Sequence, residues 1–213
     1  MPTSNNIAQP ISVFRVVDTM GAQAAVRRFP EKQLQTFLVG TPVQIDAAGA
    51  TGFLIACPTI SSAATALIAG FSLELGHNFA NNGVAPGNVF QSQTAGAPVN
   101  QPSAVIIPGG AWPTDGTVPG SQGIALAADV NEFVGVLGNS NNNNNNITIV
   151  QALEDTLAGL SKDSVNNYWF VDSNNNTAAL GGCVQIVGFV DPIGTVNGRV
   201  IFRVTHAAAQ LRA

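Results

Sequence analysis

Few side chains in this sequence could carry proton-transfer or covalent chemistry, and they are widely spaced. His77 and His206 are the only histidines, and imidazole is the side chain best suited to acid–base work near neutral pH. His77 follows Leu75-Gly76 at an expected turn and His206 ends a strand-like run, with no nucleophile beside either in sequence. The sequence contains no Gly-x-Ser-x-Gly, His-Glu-x-x-His, Cys-x-x-Cys or Walker-type lysine loop, so the common local signatures of hydrolases, zinc enzymes and nucleotide-binding loops are missing. Glu154-Asp155 and Asp163 come nearest to a carboxylate pair. Glycoside hydrolysis would need two carboxylates across one groove, whereas placement at the ends of a helix gives these residues a sufficient electrostatic role. Asp172, Asn174 and Asn176 alternate as oxygen ligands might, but the glycine and terminal glutamate of a calcium loop are absent, and the segment reads as a turn. Cys57 and Cys183 read as buried free thiols packing as small hydrophobes. The expectation is a protein that is not an enzyme, with no catalytic residues, no metal and no cofactor.

Composition points the same way. The chain has 213 residues, enough for one large β-rich domain or two small ones with a core that needs no staple. Hydrophobic residues make up 46%, yet no apolar run reaches the roughly 20 residues of a bilayer-spanning helix, so no membrane partner is expected. The Met1 to Asn6 segment lacks the basic and apolar regions of a secretion signal, and synthesis in the cytoplasm is the expectation. Charged residues are only 9%, far below the roughly 25% of ordinary soluble domains. So little charge gives weak protection against self-association, which favours an assembly subunit whose surface is covered by neighbours or built from amide-rich loops. A net charge of −4 with a single basic pair, Arg27-Arg28, argues against nucleic acid.

The elements that would position these residues are mostly short strands. Residues 1–35 read as an extended arm, with Ile11, Val13, Val16 and Val17 set among Pro, Gln, Asn and the arginine pair; an edge strand from Ile11 to Val17 is the equal alternative. Residues 36–213 read as a β-rich domain. Val43-Gln44-Ile45 and Phe53 to Cys57, separated by Asp46 to Gly52, read as a hairpin following Phe37-Leu38-Val39. Strand character returns at Phe71 to Leu75, Ile124 to Leu126, Phe133 to Leu137, Tyr168 to Val171 and Cys183 to Val190. Arg199 to His206 alternates, with Val200, Phe202 and Val204 inward. Between Gly76 and Gly123 only Val89-Phe90 and Val105 to Ile107 interrupt a Gly/Pro/Asn-rich loop. Residues 139–147 form an exposed Asn-rich connection. Ile149, Val150, Leu153, Leu157 and Leu160 are spaced for one face of a helix, with Thr148 and Gln151 as a capping box. The fold class expected is mainly β, a compact β-barrel or β-sandwich with one short amphipathic helix and long loops.

Two regions carry a resemblance. Phe37 to Asn78 has Gly40-Thr41-Pro42-Val43 and later Ile68-Ala69-Gly70-Phe71 leading to Gly76-His77-Asn78. The second combines Leu160 to Asp163, Tyr168 to Asp172, Val184 to Gly188, Gly194 to Val200 and the closing Ala207-Ala208-Ala209-Gln210-Leu211. Together these resemble the head decoration, or capsid cement, proteins of tailed bacteriophages. The resemblance implies a structural virion protein on the outer surface of the head, often a homotrimer, that stabilises contacts between major capsid subunits. On that reading Phe14, Arg15, Arg27, Arg28 and Phe29 of the arm are expected to contact the capsid. The alternative is a tail or fibre component binding the host surface through Asn- and Trp-containing loops such as those of Trp112 and Trp169; a virion glycan hydrolase is a third class.

Overall fold

The computed structural model describes residues 9–16, 25–32, 35, 37–46, 53–58, 67–76, 89–90, 105–106, 117–128, 131–141, 146–163, 166–177 and 181–211. These residues are mainly β. The strands are β1 (Ser12–Val16), β2 (Val26–Lys32), β3 (Pro42–Ile45), β4 (Leu54–Ala56), β5 (Gly70–Ser72), β6 (Val89–Phe90), β7 (Val105–Ile106), β8 (Thr117–Leu126), β9 (Asn131–Gly138), β10 (Leu157–Lys162), β11 (Trp169–Asp172), β12 (Val184–Phe189) and β13 (Arg199–Val204).

Two closed circuits of hydrogen-bonded strands organise them. Strands β2-β4-β3-β5-β8 form a closed barrel. The six-stranded sheet runs β1-β9-β11-β10-β12-β13, and a further β9–β13 pairing joins its far end back to β9, making a ring of five strands with β1 alongside. Pairing is antiparallel except for β2–β4 in the barrel and β9–β11 in the ring. Of residues 1–35, Ser12–Val16 is an edge strand paired with β9, and Val26–Lys32 is one wall of the barrel, paired with β8 and β4.

Side-chain alternation explains how the circuits share a core. Along β8, Ile124 and Leu126 face the barrel interior with Val43 and Leu54, whereas Ala125 joins the cluster built from the ring. Phe71 of β5 sits in that second cluster with Phe133 and Phe202; its ring centroid lies 4.6 Å and 5.9 Å from theirs, and those two are 5.8 Å apart. Offset and edge-on aromatic contacts of this kind add to the gain from burial alone. Strand β13 alternates as expected, with Val200, Phe202 and Val204 buried.

The chain end ties barrel to ring. Ile68 N–H donates to Ala208 O (2.8 Å) and Gln210 N–H to Ile68 O (2.9 Å). The Gln210 side chain then acts as an extra stretch of backbone: Ile45 N–H donates to its Oε1 (2.6 Å) while its Nε2 donates to Ile45 O (3.0 Å). Leu211 follows onto the barrel core.

The helix expected over Ile149 to Leu160 is not formed. A single 3-10 turn, Gln151–Leu153, is followed by β10, and Thr148 bridges to Val196 rather than capping a helix. Asp155 takes a left-handed backbone (φ 59), which ends any right-handed helix there. From Leu157 onward the strand pairs with β11 and β12 and buries Ala158 and Leu160. Tertiary pairing overrides local propensity here. Gly159 permits it, because a Cβ at that position would meet Asn175 Cβ at 2.5 Å. The segment read as a long loop also holds structure: its two apolar islands pair as β6 and β7, and β8 begins at Thr117.

Candidate docking surface

The residues that suggested chemistry do not converge. Glu154 and Asp155 are exposed before β10 and Asp163 is buried after it, so a strand of about 20 Å separates them. Asp163 closes a turn, its Oδ2 accepting from Asn166 N–H at 2.6 Å. Asp172 is fully buried and saturated: Oδ1 accepts from Ser140 N–H (3.1 Å) and Asn174 N–H (3.0 Å), Oδ2 from Ser161 Oγ (2.6 Å) and Asn175 Nδ2 (2.9 Å). Four donors on one carboxylate hold the turn together. Among the described residues no group of three His, Cys, Asp or Glu is placed to hold a metal ion, and no helix is long and apolar enough to cross a membrane.

Cys57 and Cys183 are both free and buried in the shared core. Burial pushes the Cys57 thiol far up, with Cys183 adding to the rise, and pushes Cys183 up to about 12, so neither carries the thiolate that nucleophilic chemistry needs. His77 and Trp112 lie outside the described residues. Trp169 is buried in the core.

The residues expected to touch a partner are divided between the two circuits. Phe14, on β1, is 44% exposed. Arg15 stands opposite Glu132 in the β1–β9 register, and its side chain lies outside the description. Arg27 and Arg28 are exposed on β2, Arg28 pairing with Glu74 at 2.8 Å. Phe29 is half-buried and packs against the barrel core, so its ring serves stability first.

A different surface emerges from two hydrogen-bonded segments, residues 146–150 and 190–197. Val150, Val190, Ile193 and Val196 are 45%, 36%, 57% and 50% exposed, half of the exposed large hydrophobics among the described residues. The segments beneath them are firmly held. Ile149 N–H donates to Thr195 O (2.9 Å), Gly194 N–H to Ile149 O (2.9 Å) and Asn197 N–H to Ile147 O (2.8 Å), while Ile147 N–H donates to the Asn197 side-chain oxygen (2.9 Å). Gly194 and Asn197 supply the positive φ values, 94° and 49°, that the tight path requires. The charges in these segments and the adjoining start of β13, Asp191 and Arg199, neutralise each other. Arg199 Nη2 donates to Asp191 Oδ1 at 2.7 Å, and Nε and the backbone N–H to Oδ2 at 3.1 and 2.7 Å. These hydrogen bonds hold the Asp191 carboxyl below the usual carboxylate range. The result is an apolar, uncharged knob on a fixed frame.

No protein-family model matches the chain, and neither a curated protein nor a solved structure matches it.

Sequence reasoning missed this knob. Val150 was assigned to the apolar face of a helix, and Asp191 to Asn197 reads as turn formers with two isolated aliphatic residues, a pattern without a period. Its one readable signal is Ile193 and Val196 standing in a turn where polar residues would suffice.

Proposed function

We propose that this chain is a structural virion protein that binds the outside of an assembled phage capsid and stabilises contacts between major capsid subunits, as a homotrimer. The observation that carries this reading is the uncharged apolar knob of Val150, Val190, Ile193 and Val196 on a rigid frame, in a chain with only 9% charged residues. Large exposed aliphatic side chains carried on two hydrogen-bonded segments favour a partner surface. The resemblance of Phe37 to Asn78 and Leu160 to Leu211 to capsid decoration proteins supplies the partner.

The mechanism is mass action. Covering four half-exposed aliphatic side chains stabilises a contact by roughly 1 kcal/mol each at about 25 cal/mol per Å², most of which offsets the loss of translational freedom on docking. A single contact is therefore weak. A trimer that engages several capsid subunits together converts weak contacts into tight attachment, and a ligand that binds only the assembled shell stabilises that shell. Phe14 and Arg27, both exposed, extend the contact surface proposed here.

Electron cryo-microscopy of intact particles, with quantitative densitometry, tests the reading. Many copies at local symmetry axes of the head are expected; a handful of copies at the tail overturns it. Ile193→Asp with Val196→Asp is expected to leave the melting temperature unchanged, since both side chains are exposed, and to abolish binding to particles lacking the protein.

A further inference from the structure

The outer face of the ring carries a second feature that the knob does not involve. A depression of about 250 Å³ is lined by Gln185, Arg203, Val204, Thr205 and His206. Gln185 on β12 stands directly opposite Arg203 on β13. Strand alternation turns both outward, since Val184, Phe202 and Val204 on either side are buried.

Arg203 is held in place from behind. Its Nε and Nη2 both donate to Oε1 of Glu132, at 3.2 and 2.7 Å. Glu132 is 1% exposed, while the Arg203 side chain remains 35% exposed. A guanidinium has five N–H donors in a rigid plane. Two are spent on Glu132, so three remain on a group whose orientation is already fixed. Its planar fork suits a second two-oxygen acceptor. Gln185 adds an exposed amide beside it, and the imidazole of His206 forms part of the wall. The Thr205 hydroxyl donates to Cys183 O at 3.1 Å and so shapes the wall rather than offering a donor.

Hydrogen-bonding geometry selects the ligand. Among the described residues no carboxylate lines the depression. Glu132 neutralises Arg203 from behind, so the three guanidinium donors that remain and the Gln185 amide, rather than a net charge, recognise the ligand. A net-neutral ion pair admits a monoanion more readily than a phosphate dianion, and a planar carboxylate matches the planar fork. We infer that this depression is a carboxylate-binding site, taking an acidic side chain or a chain-terminal carboxylate of a protein partner against Arg203 and Gln185. The inference stands apart from the capsid reading and holds for any partner that presents such a group.

The test uses the full chain, with sodium acetate as probe and sodium chloride exchanged to keep ionic strength constant. The NMR signals of the His206 ring and the Arg203 Nε–H are followed. A saturable shift of both signals is expected, with affinity roughly millimolar, as suits one partly solvated ion pair. Gln185→Glu places a carboxylate at the mouth on an exposed position. It should weaken acetate by at least about tenfold through like-charge repulsion while leaving the melting temperature unchanged. No saturable shift in the wild-type protein overturns the inference, as does an equal shift in Gln185→Glu. Either result leaves the capsid reading standing.

Discussion

Replacing Asp172 by alanine asks whether this carboxylate is a structural hub. Four donors converge on it, two backbone amides and two side chains from Ser140, Ser161, Asn174 and Asn175. Hydrogen bonds to a charged acceptor contribute about 1.5–3 kcal/mol each, and a buried donor left without a partner costs about 1–3 kcal/mol. Asn174 and Ser140 are both exposed, so water replaces part of what is lost at two of the four. The expected cost of Asp172→Ala is then about 3–4 kcal/mol, which for a chain of this size lowers the melting temperature by about 10 °C. Asp172→Asn keeps one acceptor oxygen but sets an amide N–H against remaining donors, and should cost about 2 kcal/mol. Urea denaturation read at constant slope, together with calorimetry, measures both. Calcium and a chelator should leave the wild-type melting temperature where it is, because the four donors already occupy the carboxylate. The reasoning is refuted if Asp172→Ala costs less than about 1 kcal/mol, or if calcium stabilises the wild-type protein and not the variant.

Three further outcomes are expected. Asp191 has its carboxyl depressed by Arg199, so its contribution is complete above the unfolded carboxylate value of about 4 and is lost as pH falls through the lower folded value; Asp191→Asn should flatten the acid limb of a melting-temperature profile below about pH 4 and leave the neutral limb nearly unchanged. Cys57 and Cys183, both buried with raised pKa values, should resist a thiol reagent in the native protein and react together after unfolding; native reaction at either site contradicts the packing. Gln210→Ala should cost about 1–2 kcal/mol by removing two hydrogen bonds to Ile45, with faster amide exchange at Ile45 as the local sign.

The strands were legible where alternation or apolar runs coincide with burial. Val43-Gln44-Ile45 and Leu54-Ile55-Ala56 pair as the hairpin their turn residues suggest, β12 and β13 lie within the expected runs, and β11 overruns its own by one residue, Asp172, which by sequence reads as turn. Spacing misled at Ile149 to Leu160, since Leu153, Leu157 and Leu160 fit a helical stripe while Ala158 and Leu160 fit a strand equally well. Only pairing with Trp169–Asp172 and Val184–Gln185, distant in sequence, decides between them. The closure of each circuit was illegible for the same reason, since it rests on contacts such as Val26↔Ala125 and Val200↔Gly135. Charge scarcity carries no information on where exposed aliphatic residues gather, because the knob depends on a hydrogen-bonded frame between residues some 50 apart, as in Ile147 to Asn197.

The two closed circuits bear on a hazard that charge scarcity creates. Proteins kept apart mainly by like charge lose that protection here, and at high concentration an open sheet edge would recruit the strands of other copies into fibrils. Joining β2 to β8 and β9 to β13 consumes backbone donors and acceptors within the molecule, as closed barrels do. Sheet closure thus takes over, within the two circuits, a protective role that surface lysines and glutamates play elsewhere, and it confines the open backbone edges among the described residues to β1 and the β6–β7 pair.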